Sequence, residues 1–131
     1  MFDDLYTFGI PLEGLHTETG DGVYEAAITY DEILVSADRA ALFKTAVKEI
    51  ASKNEMMASF MAKWNPELPG CSGHVHQSLW DANGNNIFFD NSSSTNISKT
   101  LEHYLAGQIA CLPAILPMFA PTTNSYKRYV E

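Results

Sequence analysis

At 131 residues the chain fits one domain of ordinary size, long enough to bury a single core. Its net charge of −8 excludes the basic face that nucleic acid requires, and no apolar run approaches the ~20 residues of a membrane-spanning helix. Two cysteines are too few for a disulfide framework, and Met1-Phe2-Asp3-Asp4-Leu5 lacks the basic head of a secretory signal, so a reducing cytoplasm is expected.

The first cation is Arg39, and Asp3, Asp4, Glu13, Glu18, Asp21, Glu25, Asp31, Glu32 and Asp38 all precede it. Such a segment is either a solvated face or a place that meets cations. Within it, residues 12–16 and 23–30 read as two strands joined by the turn Thr19-Gly20-Asp21-Gly22. Ser36 is the expected cap of a helix running to about Asn54, with Asp38 in its first turn. Phe43, Ala46, Val47 and Ile50 fall at i, i+3, i+4 and i+7 and form its core-facing stripe. Residues 56–64 are short and apolar and predict a strand. Residues 65–70 hold Pro66 and Pro69 and predict a loop.

Residues 74–80 and 87–90 read as a hairpin across Ala82-Asn83-Gly84-Asn85, with Asn-Gly as the turn signal. A polar loop, residues 91–95, follows. A second helix is expected to start near Ser98 and turn Leu101, Tyr104, Leu105 and Ile109 inward, until Pro113 and Pro117 end or break it. The coarse class is α+β with antiparallel strands, without internal repeat or interdomain linker.

Three constellations carry chemistry. In His16-x-Glu18…Glu25, two carboxylates flank a glycine turn near the ends of paired strands, and hard cations such as Mg²⁺ take oxygen ligands so arranged; two exposed glutamates beside a turn are the bland alternative. In Gly70-Cys-Ser-Gly-His74-Val-His76-Gln-Ser78-Leu-Trp80, residues i and i+2 of a strand face the same way, so His74 and His76 point together. That suits metal or phosphate contact, or histidines bonded to backbone. It also suits a non-catalytic, cupin-like metal binder with Asp81 as the acidic partner. In Pro121-Thr-Thr-Asn124-Ser-Tyr-Lys127-Arg128, a turn-forming start precedes two adjacent cations; the Arg fork can grip a carboxylate or phosphate, or the two cations form an ordinary surface pair.

Taken together and in this order, the three motifs resemble the catalytic domain of glutamine synthetases and their gamma-glutamyl-amine ligase relatives. The resemblance covers nearly the whole chain. It implies a central fragment, residues 1–131, of one such domain: a curved antiparallel sheet with flanking helices, the N-terminal β-grasp domain and the C-terminal part being absent. It implies Glu18 and Glu25 as ligands of the metal nearer the substrate glutamate, and His74 as a ligand of the metal on the ATP phosphates. His76 and Ser78 match positions lining the nucleotide site, Gly70 lies in a loop whose backbone touches glutamate, and Arg128 matches the arginine that grips the glutamate carboxylate.

The implied activity is ATP-dependent: glutamate is activated as an acyl phosphate and condensed with ammonia or an amine, with Mg²⁺ or Mn²⁺ neutralising the transferred phosphoryl group. The family builds its sites between neighbouring subunits of a homo-oligomeric ring, so the fragment by itself is expected to be inactive. Three departures bear on the amine. Pro69 stands where most glutamine synthetases have asparagine, Val23 where they have glutamine, and Glu131 where the proline after Lys-Arg is usual. His16 matches a residue beside the metal carboxylates, with no step assigned to it.

Overall fold

The computed structural model describes residues 1–129, and the departure at Glu131 lies outside them. The chain divides into two compact units, Met1–Cys71 and Ser72–Glu131. In the first, α1 (Phe2–Thr7) leads into β1 (Leu12–Thr17), β2 (Tyr24–Ile28) and α2 (Ile33–Lys53). The second contains α3 (Lys99–Phe119) and a 3₁₀ turn, Ser125–Arg128. The expected α+β class with antiparallel pairing is borne out, with β1 and β2 forming a two-stranded sheet.

The core of the first unit is small. Leu5, Ile10 and Ala46 are buried, and Leu12, Ile28, Phe43, Val47 and Ile50 pack against them. The expected stripe of α2 is therefore the face that meets α1 and the hairpin. Complete burial of a side chain such as Leu5 or Ile10 contributes about 1.5–3 kcal/mol, so a few residues hold the hairpin in place. α1 was not anticipated; it is a six-residue helix whose Leu5 carbonyl accepts from Ile10 N–H at 2.9 Å, turning the chain into β1.

Several local expectations are corrected. α2 begins three residues before Ser36: Glu32 is its cap and accepts from Leu34 N–H at 2.9 Å, while the Ser36 hydroxyl donates back to the Asp31 carbonyl. Asp38 thus lies beyond the first turn. Residues 56–64 form no strand among the described residues; Phe60 is instead held edge-on to Phe43, ring centroids 5.9 Å apart, beneath the ammonium groups of Lys44 and Lys48. An apolar run can satisfy itself by packing on a helix without entering a ladder.

In the second unit, Ser98 caps α3 as expected, accepting from Leu101 N–H at 3.1 Å. Pro113 and Pro117 do not end it, and the helix runs on to Phe119. A proline ring fixes a helical φ and removes one hydrogen bond, a loss that a 21-residue helix absorbs. Leu101 and Tyr104 are half-buried, whereas Leu105 and Ile109 are exposed. The hairpin expected over 74–80 and 87–90 is present mainly at its turn, with an isolated bridge Trp80↔Asn86 and Ile87 N–H donating to the Leu79 carbonyl.

Candidate active site

The acidic signature becomes geometry in the β1–β2 hairpin. Leu12 pairs with Ile28, and both pack on the core. From Gly14 onward the pairs are Gly14↔Ala27, Leu15↔Ala26, His16↔Glu25 and Thr17↔Tyr24, so Glu13 is the extra residue of a β-bulge. Strict alternation from Leu12 would return His16 and Glu18 to the core face. One added residue inverts the alternation and places both on the opposite face. Glu25, three residues before Ile28, lies on that face too. One ligand atom from each of His16, Glu18 and Glu25 falls within a set spanning at most 4.8 Å, and His16 Nδ1 is 3.5 Å from Glu18 Oε1.

Donors on opposite sides of an octahedral Mg²⁺ stand about 4.2 Å apart, twice a ligand distance of about 2.1 Å. Two carboxylates and an imidazole within 4.8 Å, all exposed and none paired with Lys or Arg among the described residues, fit such an ion with a small side-chain movement. The fit is to the chemistry of the donor set: oxygen-rich, negatively charged and open to the waters that Mg²⁺ retains. Sequence reasoning left His16 without a role. The signal that could have found it was parity, since His16 and Glu18 are i and i+2 on one strand.

The turn above the carboxylates is closed by Val23, whose carbonyl accepts from Glu18 N–H at 2.9 Å and whose N–H donates to the Gly20 carbonyl at 3.2 Å. Gly20 has φ +112°, which L side chains rarely adopt, and a Cβ there would lie 3.2 Å from Val23 Cγ2 and 3.5 Å from Pro69 Cβ and Cδ. Two of the departures noted in the sequence, Val23 and Pro69, therefore meet at one glycine. Gly70 follows in a loop drawn shut by Cys71 N–H on the Ala62 carbonyl at 2.9 Å and by Lys63 Nζ on the Leu68 carbonyl at 2.5 Å.

In the second unit the rings of His74 and His76 meet edge to face, centroids 6.5 Å apart, and Trp80 Nε1 donates to Ser78 Oγ at 2.9 Å. Asp81 is spent on the turn: Oδ1 accepts from Asn83 and Asn85 N–H and Oδ2 from the Asn85 side chain, each at 2.9 Å. The Asn85 side chain, then its N–H, then Asn83 hold the Asp81 carboxyl below its ordinary value. A carboxylate so occupied is poorly placed to complete a metal site with His74 and His76. Arg128 closes the 3₁₀ turn, exposed and without an ion-pair partner among the described residues.

Comparison with known proteins gives this arrangement a context. All of residues 1–131 match the family described as glutamine synthetase, catalytic domain. The chain is 57% identical over 129 residues to Type-1 glutamine synthetase 2 of Dictyostelium discoideum, covering 98% of this chain and 25% of that one. It is 42% identical over 120 residues to the glutamate–isopropylamine ligase of a Pseudomonas species, covering 92% of this chain and 26% of the relative. Among solved structures, apo GmaS without ligand matches with a TM-score of 0.87 at 34% identity, over 95% of this chain and 30% of that one. The chain belongs to the glutamine synthetase family and forms part of its catalytic domain. It spans about a quarter of the length of these curated relatives. The cupin-like reading of His74, His76 and Asp81 finds no support.

Proposed function

We propose that the full-length protein carrying this chain is an ATP-dependent ligase that activates the glutamate side chain as an acyl phosphate and condenses it with ammonia to give glutamine. The observation that carries the reading is the convergence of Glu18 and Glu25, with His16, on one face of a hairpin in a chain of this family. Glu18 and Glu25 are the proposed ligands of one divalent cation and His74 of a second. Mg²⁺ or Mn²⁺ there supplies charge neutralisation for the transferred phosphoryl group. His76 and Ser78 line the nucleotide, the Gly70 loop meets glutamate, and Arg128 grips the glutamate carboxylate and positions it for phosphorylation. The setting is the cytoplasm and the assembly a homo-oligomeric ring.

A larger primary amine as acceptor is the second reading, and the meeting of Val23 and Pro69 over Gly20 favours it. Neither side chain hydrogen-bonds, so two positions that are polar in most glutamine synthetases are apolar here. A site that loses a polar contact discriminates less between acceptors. The relative named as a glutamate–isopropylamine ligase is consistent with such a shift.

The test is phosphate release by the full-length protein with ATP, glutamate and Mg²⁺, against ammonia and a panel of primary amines. Turnover that requires glutamate and is fastest with ammonia supports the first reading; preference for a larger amine selects the second. Absence of glutamate-dependent ATP turnover with every acceptor would overturn both. The 131-residue chain assayed alone is expected to be silent, because the family's remaining metal carboxylates are not among its residues.

A further inference from the structure

We propose that Gln77 is a positioning residue: by bonding to α3 it decides which face of the 74–80 stretch carries His74, His76 and Ser78. The stretch lacks the usual means of fixing a face, since among the described residues only Trp80 enters a β-bridge. Its side-chain contacts nonetheless alternate as they do along an extended chain. His74 meets His76, and Ser78 meets Trp80, so the even-numbered residues contact one another. Gln77 breaks that series and contacts the helix. Its Oε1 accepts from the Tyr104 hydroxyl and from Gln108 Nε2, the latter at 3.2 Å.

Tyr104 and Gln108 stand at i and i+4, adjacent on one face of α3. The anchor is itself fixed. The Tyr104 ring lies 5.1 Å from that of Phe88, which is buried, and the Phe88 carbonyl accepts from Ser98 N–H at 3.0 Å, at the cap of α3. Packing alone does not lock the stretch. A cavity of about 230 Å³ opens beside it, lined by Val75, His76, Gln77, Phe88, Tyr104 and Gln108 among others. Across such a gap, apolar contact resists a one-residue slip weakly, whereas two hydrogen bonds to a single side-chain oxygen resist it directly. A slip of one residue exchanges the two faces of an extended chain and would bring His74 and Ser78 to the face that Gln77 now holds against α3.

The orientation stands on these contacts alone; its consequence for turnover rests on the ligase reading above. Because Gln77 acts as acceptor in both bonds, Gln77→Glu keeps them and Gln77→Leu loses both, while Tyr104→Phe loses one and keeps the ring on Phe88. In the full-length protein, Gln77→Leu is expected to raise the KM for ATP about tenfold, as the loss of one or two net hydrogen bonds implies, with the KM for glutamate moved by less than about twofold. Tyr104→Phe should fall between, and Gln77→Glu should stay near the parent.

In the 131-residue chain, a nuclear Overhauser contact between the His74 and Tyr104 rings should be absent in the parent and in Gln77→Glu and appear in Gln77→Leu. Absence of that contact in a folded Gln77→Leu chain overturns the proposal, as does an unchanged KM for ATP. Should Gln77→Leu fail to fold, equal behaviour of Tyr104→Phe and the parent in both measurements overturns it. A full-length parent that does not turn over ATP refutes the ligase reading instead, and the ring contact then decides Gln77 by itself.

Discussion

The β1–β2 hairpin and the 74–80 stretch both present chemistry-bearing side chains at i and i+2, yet they are oriented by different means. In the hairpin, backbone pairing sets the face, and a single bulged residue, Glu13, moves His16 and Glu18 onto the face of Glu25. In the later stretch residues 74–78 enter no bridge or ladder, and side chains reaching α3 do the orienting. Ladder register is collective, so one substitution on the surface of a strand leaves it intact. A side-chain anchor is a single point of failure. The hairpin should therefore tolerate changes around its carboxylates but not the loss of a carboxylate, whereas the later stretch should be sensitive to residues that touch no ligand.

The largest effect is expected from removing a donor in the preassembled region. Glu25→Ala in the full-length protein leaves the ladder in place and deletes one oxygen donor of the proposed cation site. Its loss of Mg²⁺-dependent turnover should exceed the about 10–100-fold typical of an outer-shell partner of a metal ligand. His16→Ala tests the third member and should cost less, since an imidazole nitrogen is the weaker partner for a hard cation. Titrating activity against Mg²⁺ separates the cases. If Glu25→Ala and the parent show the same metal requirement, the convergence on the hairpin is only a solvated acidic face.

Smaller in size is the effect at Arg128, which the structure leaves exposed on a 3₁₀ turn. A bidentate charged contact to a carboxylate contributes about 1.5–3 kcal/mol, or one to two decades of affinity. Arg128→Ala is expected to raise the KM for glutamate by that factor with little change for ATP. Equal damage to both substrates would make Arg128 a structural residue.

Much of the hairpin was legible because its signals are local. Gly20 and Gly22 announce a turn that needs positive φ, and the alternation on either side announces the strands. The bulge was not legible: Glu13 looks like any exposed strand residue, and only the pairing of Leu12 with Ile28 reveals that it is extra. The boundaries of α2 failed for a related reason. Asp31, Glu32 and Ser36 are all capable caps, and the ion pair of Asp31 with Arg39, 2.8 Å apart, helps decide among them from eight residues away. For 56–64 and 74–80, apolar content and parity were read as strand, but a strand exists only where a partner presents its backbone. Phe60 found Phe43 instead, and Gln77 found Tyr104. Pro113 and Pro117 show the reverse case, a local breaker overruled by the length of helix around it.

The smallest expected effect concerns the turn that follows the 74–80 stretch, and it tests whether Asp81 is a structural carboxylate. The Asn85 side chain, then the Asn85 N–H, then Asn83 lower the Asp81 carboxyl below its ordinary 3.8. A carboxyl lowered in the folded state binds its proton more weakly there than in the unfolded chain. Its contribution is therefore fully present above 3.8 and is lost as the pH falls through the lower folded value. Asp90, lowered by the Ser92 hydroxyl and then by the N–H of Ser92, acts in the same direction a few residues on. The turn should thus be indifferent to pH from neutrality down to about 4 and should open below that, without a basic-side counterpart. Gly84, held at φ +79° with its N–H on the Asp81 carbonyl at 3.1 Å, and Asn85, whose N–H donates to Oδ1, are the reporters. Their amide shifts and exchange rates, followed by NMR in the 131-residue chain, should move together below that pH. Asp81→Asn keeps an acceptor oxygen and removes the charge, so the turn should persist at neutral pH while the acid transition at Gly84 and Asn85 disappears. If the two amides titrate in Asp81→Asn as they do in the parent, another group governs the turn, and Asp81 is not its structural carboxylate.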